Sequence, residues 1–180
     1  MTGVDVPTDP GDRRIERRDT ARVLLIDPVG RVLLFEDSDP GLPGRPTFWI
    51  TPGGGIDPGE TPAEAAAREV TEETGYVVPD GLLTGPVARR TVVHGYSDKI
   101  VEQTETFFVA RVPEFAVDTA GHTVDEVETL VAHRWWSRDE LVRTDATVWP
   151  LGLPQLLGAV LGGAPWPVAL DGGEESTVPA

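Results

Sequence analysis

The chain has no cysteine, and its 180 residues include a single methionine, three histidines, and 15 basic against 30 acidic side chains. Without cysteine there is no disulfide scaffold and no soft-ligand zinc site, and the composition fits a reducing compartment. The histidines, His94, His122 and His133, show no metal-ligand spacing. No apolar run approaches the ~20 residues that cross a membrane. Residues 1–19 lack the apolar middle of a signal peptide, so they read as a polar tail on a cytoplasmic protein. A net charge of −15 argues against a long nucleic-acid partner, because such binding depends on Lys and Arg displacing counterions. What remains is enough chain for one domain with a working core.

The pattern of that domain is strands interleaved with a few helices. Thr20–Asp27 and Arg31–Glu36 read as a hairpin around the turn at Pro28–Gly30. A Pro/Gly-rich loop over 37–47 leads to a short strand at Phe48–Thr51. Val87–Tyr96 and Val101–Val112 form another strand pair. In the second of these, Phe107–Ala110 is apolar on both faces, which predicts a strand inside a covered sheet. Leu130–Trp136 is a further strand, Ser137 caps a short helix, and Leu153–Leu161 is a last helix. Such an order gives an α+β domain over residues 20–161. Gly/Pro-rich residues 162–180 read as a flexible tail.

The densest chemistry lies at Gly54–Tyr76, GGIDPGETPAEAAAREVTEETGY. Thr61 caps a helix, Pro62 suits its first turn, Glu64 completes a capping box, and Gly75 closes it. Ala63, Ala66, Ala67 and Val70 fall on one small-residue stripe. Glu69, Glu72 and Glu73 sit three and four residues apart, as neighbours on the helix surface. Like charges at that spacing destabilise a helix, so the cluster calls for a cation. Arg68 sits well round the helix from its middle, which makes a divalent metal the better candidate. Mg²⁺ prefers hard oxygen ligands, and Mn²⁺ accepts the same ones. Ahead of the helix, Gly53–Gly55 permits close backbone approach to a ligand, but the loop has neither a P-loop ending nor a dinucleotide-fold pattern.

Written as Gly54, five residues, Glu60, seven residues, Arg68-Glu69-Val70, one residue, Glu72-Glu73, one residue, Gly75, this stretch resembles the Nudix box. Tyr76 departs from it where an aliphatic residue is usual, at a packing position. The resemblance implies a mixed β-sheet sandwiched between helices, and a Mg²⁺-dependent hydrolase that cleaves a diphosphate linkage in a nucleoside diphosphate joined to another group. It implies structural roles for Gly54, Glu60 and Gly75, with Glu60 pairing Arg68. Metal ligands would be Glu69, Glu73, Glu72 and the carbonyl of Gly53, with Glu72 alternatively orienting the attacking water. A further acidic residue from the loop ahead of the last strand, Glu128 first and its neighbour Glu126 next, would serve as extra ligand or general base; Glu105 is a third option. Arg45, Arg89 and Arg90 are candidate phosphate contacts, and Trp49, Tyr96 and Trp135 candidate base-stacking residues. The family's diphosphate isomerases need a reactive cysteine that is missing here. The other reading is a non-catalytic module that senses ADP-ribose or a related nucleotide. Where some members carry a proline or tyrosine that marks the substrate, this chain has Thr91 and Val92. Homodimers are common in the family.

Overall fold

The middle of the sheet is set by two long strands that alternate side chains between two cores. In the computed structural model, which describes residues 13–180, β1 (Arg14–Ile26) lies parallel to β6 (Lys99–Arg111), paired from Arg14↔Lys99 to Ile26↔Arg111. β2 (Val32–Ser38) meets β1 antiparallel at Ile26↔Val32 and continues beside β3 (Thr47–Ile50) and β7 (Ala132–Trp136). β8 (Val148–Trp149) adds to β3, and β5 (Thr84–Gly95) runs antiparallel to β6. β4 (Gly53–Gly55) pairs β1 over Thr20–Arg22, where β2 has turned away.

Because successive strand residues face opposite ways, Leu24, Ile26, Phe107 and Val109 enter one core, while Ala21, Val23, Leu25, Phe108 and Ala110 enter the other. The first is covered by Leu153, Leu156, Leu157 and Val160 of α4 (Leu153–Leu161) and by Leu141 of α3 (Arg138–Arg143). The second is covered by α1 (Pro62–Thr74), whose Ala65, Ala66 and Val70 face the sheet; Ala63 is exposed, so the buried stripe is rotated slightly from the expected one. Tyr76 packs in this core too, with its ring centroid 4.8 Å from that of Phe115. The result is the expected α+β arrangement, a mixed sheet between helices.

Two boundaries differ from the sequence reading. Residues 1–12 of the expected tail lie outside the described residues, but Arg14–Asp19 extends β1 along β6. The segment 162–180 is not a loose tail: Val168 and Leu170 pack on the first core, and β9 (Gly173–Glu174) pairs in parallel with β5. The acidic stretch at 125–128 is helical as well, within α2 (Val124–Thr129), capped by Thr123 with Glu126 completing a capping box.

Truncation after Gly163 tests the C-terminal correction. It strips cover from the core and leaves the buried Arg90 without its partner Glu175, a loss of about 3–5 kcal/mol for a broken buried pair. Urea unfolding should show a markedly lower midpoint; an unchanged midpoint would mean that the segment contributes nothing to the fold.

Candidate metal and active site

The site starts from a helix that the chain specifies tightly. Thr61 Oγ1 accepts the Glu64 N–H at 3.3 Å while Glu64 accepts the Thr61 N–H at 2.7 Å, and Gly75 closes α1 at φ 72° with its N–H on the Thr71 carbonyl. This orientation turns Glu69 and Glu73 inward, against the glycine loop. Glu73 accepts the Gly53 N–H at 2.9 Å. A Cβ on Gly54 would stand 2.7 Å from the Glu69 carboxylate, and one on Gly53, at φ 133°, would stand 2.1 Å from the Ala21 carbonyl. Both glycines are therefore required by close approach.

Arg68 reaches the carboxylates more directly than its helical position suggests, because a long side chain with five donors serves several acceptors. Nε and Nη2 grip Glu60 at 2.8 and 2.9 Å, Nη2 also donates to the Gly55 carbonyl at 2.9 Å, and Nη1 donates to Glu69 at 2.8 Å and Glu72 at 3.3 Å. The Glu60–Arg68 pair thus fastens loop to helix, and it holds the Glu60 carboxyl down at about 2. Glu72 stays half-exposed beside Arg68.

The third carboxylate arrives from α2. The loop before it is tied to the end of α1: the Asp118 N–H donates to the Thr74 carbonyl at 2.9 Å, and His122 Nε2 lies 2.9 Å from the Glu73 carbonyl. A Cβ on Gly121 would stand 2.5 Å from the Glu72 carbonyl, so the loop lies close against the helix there. Oxygens of Glu69, Glu73 and Glu126 then come within 4.8 Å of one another. Burial raises the carboxyl of Glu73 well above its ordinary value and raises that of Glu69 as well. Clustered hard oxygens with uncompensated buried charge fit a divalent cation such as Mg²⁺ or Mn²⁺.

Several expected site residues lie elsewhere. Glu128 does not join the cluster, since two helical positions from Glu126 place it on the opposite side; its carbonyl instead accepts Arg45 Nη2 at 2.8 Å. Arg45 is thereby engaged in holding α2. Trp49 packs edge-on against Trp136, ring centroids 5.1 Å apart, beside the first core. Arg90 is buried and bound to Glu105 and Glu175, so it faces no open phosphate site. Glu105 is buried between Arg90 and Arg22; burial pushes its carboxyl up, and the two guanidinium groups outweigh that and bring it below its ordinary value.

Arg22 is the residue that the sequence reading misses. It is buried on β1, and its Nη1 donates to the carbonyls of Gly53 at 2.7 Å and Thr51 at 3.2 Å. The one signal available for it is a lone charge inside the apolar run Thr20–Ile26.

The raised carboxyls of Glu69 and Glu73 make the site sensitive to pH. The stability they contribute to the metal-free protein is full below the ordinary value of 4.5 and is lost as pH rises through the native values. Mg²⁺ should reverse that loss, raising the thermal midpoint more at about pH 8 than at about pH 5; equal gains would contradict the assignment. Glu126→Gln should weaken Mn²⁺ binding about tenfold or more, measured by paramagnetic resonance of free Mn²⁺, while Glu128→Gln leaves it nearly unchanged.

Comparison with known proteins identifies relatives in sequence and in fold. The chain is 31% identical over 99 residues to the dihydroneopterin triphosphate diphosphatase of Escherichia coli (strain K12), covering 51% of this chain and 63% of that protein. It is 40% identical over 67 residues to the RNA pyrophosphohydrolase of Cereibacter sphaeroides, covering 37% and 38%. The chain thus spans less than two thirds of the length of either relative. In fold it is similar to the MutT protein of Bacillus halodurans, with a TM-score of 0.57 at 23% identity over 89% of this chain and 91% of that one. Residues 16–155 match the NUDIX domain, and the chain belongs to that family.

Proposed function

We propose that this chain is a divalent-cation-dependent hydrolase that cleaves a diphosphate linkage in a nucleoside diphosphate joined to another group. The observation that carries this reading is the convergence of Glu69, Glu73 and Glu126 from two helices, with oxygens within 4.8 Å of one another beside the glycine loop. Those three carboxylates are the ligands, and the Gly53 carbonyl can join them with its second lone pair. A bound Mg²⁺ supplies charge neutralisation on the phosphate oxygens and a lowered pKa for the attacking water.

The chain's own residues do the rest. Arg68 fixes Glu69 and Glu72 relative to the loop through its grip on Glu60. Glu72, the half-exposed member of the set beside Arg68, is the group that orients the water and accepts its proton in this reading. The water oxygen forms a bond to one phosphorus, the bond from that phosphorus to the bridging oxygen breaks, and the bridging oxygen departs with the other phosphate. Positioning and electrostatics carry most of such a reaction.

One of the two relatives is named for a pterin triphosphate and the other for RNA. A net charge of −15 favours the small-molecule end of that range over a long RNA. The retained carboxylates favour catalysis over sensing, since a module that only binds ADP-ribose has no need of a water-activating set.

A chromatographic screen for the cleaved phosphorylated products, run with Mg²⁺, decides between catalysis and sensing. It would offer nucleoside triphosphates, dihydroneopterin triphosphate, dinucleoside polyphosphates, NDP-sugars and ADP-ribose to the native chain and to Glu73→Gln. One class should turn over and fall about a hundredfold or more in the variant. Tight binding of one nucleotide with no turnover of any would overturn the hydrolase in favour of the sensor.

A further inference from the structure

Beyond the residues matched to the family, the chain returns to the sheet as a strap. Gly173 and Glu174 pair with Val92 and Val93, the Glu175 N–H donates to the Val93 carbonyl at 2.9 Å, and Thr177 Oγ1 donates to Asp39 at 2.6 Å. Glu175 points inward. Its carboxylate takes both terminal nitrogens of Arg90 at 2.7 Å each and the Leu151 N–H at 2.7 Å. Arg90 Nε then donates to Glu105 at 2.6 Å, and the other Glu105 oxygen lies 3.4 Å from Arg22 Nε. Arg22 in turn holds the Gly53 carbonyl, and the Gly53 N–H holds Glu73. A buried run of alternating charge therefore leads from Glu175 to Arg22, and the Gly53 peptide links Arg22 to the carboxylate of Glu73.

We propose that Glu175 is a positioning residue for the metal site, acting through Arg90, Glu105 and Arg22. This inference rests on the metal-dependent reading above. Its physical basis is that two guanidinium groups share Glu105. Arg90 has the short contact, and Arg22 Nε has only the 3.4 Å ion pair and no hydrogen bond. Glu175 satisfies Arg90 and so leaves part of the Glu105 charge to Arg22. Without Glu175, Arg90 draws Glu105 to itself in a medium of low dielectric, where such competition is strong. Arg22 then turns toward the other buried carboxylates within its field, Glu69 and Glu73, and competes with the cation for them.

The strap has a built-in control. Glu174 carries the same charge one residue away, but it is exposed and touches none of the relay; it accepts the Ala180 N–H instead.

The test compares Mn²⁺ binding to the full chain and to Glu175→Gln, Arg90→Lys and Glu174→Gln by paramagnetic resonance, in samples shown to be folded by circular dichroism. Glu175→Gln should weaken Mn²⁺ about tenfold, the usual effect of an outer-shell partner, and Glu174→Gln should leave it unchanged. Arg90→Lys keeps the buried charge but cannot form the fork; it should shift binding in the same direction and carries the test if Glu175→Gln does not fold. Native-like affinity in folded Glu175→Gln or Arg90→Lys, or an equal loss in Glu174→Gln, overturns the relay while leaving the hydrolase reading intact. Absence of Mn²⁺ binding by the native chain overturns both.

Discussion

The structure turns on the burial of two carboxylates, Glu69 and Glu73, against a loop that has no side chains to offer them. Burying a charge is costly unless it is paired, and the pairing visible here is partial. Glu69 has one Arg68 nitrogen, and Glu73 has one backbone N–H. Much of the surrounding architecture holds this unfavourable arrangement in place. The capping box and Gly75 fix the length of α1, small alanines let it lie close to the sheet, and the Glu60–Arg68 pair clamps the loop to it. The uncompensated negative charge that remains is what fits the cluster to a cation.

The sheet contributes a second layer of control. β1 parts from β2 and takes β4 as its partner over Thr20–Arg22, and this opens room for a charged side chain in the middle of a buried strand. Arg22 fills it and binds the loop carbonyls from beneath. Its counter-charge comes from Glu105 on β6, so the geometry of the loop depends on the register of the two central strands. Fold and site are coupled through that pair.

How much is legible in the sequence follows the range of the interactions. The box helix, its caps and the Glu60–Arg68 pair depend on residues a few positions apart, and the sequence displays them directly. The pattern that buries Phe107–Ala110 on both faces is equally local. Glu128 ranks ahead of Glu126 only while the stretch is read as a loop, although Thr123 and Glu126 already spell a capping box; once it is a helix, only one of the two can face Glu73. The C-terminal segment looks loose in sequence because Gly and Pro dominate it. Its order comes from Glu175 meeting Arg90 across 85 residues of chain, a contact that no local pattern announces. Arg90 looks available for phosphate for the same reason.

The most direct measurement is the anomalous scattering of Mn²⁺ in a crystal of the native chain. A single cluster of anomalous density in contact with the carboxylates of Glu69, Glu73 and Glu126 is the result this account predicts. Mn²⁺ held elsewhere, or these three carboxylates ordered without it at saturating metal, would contradict it.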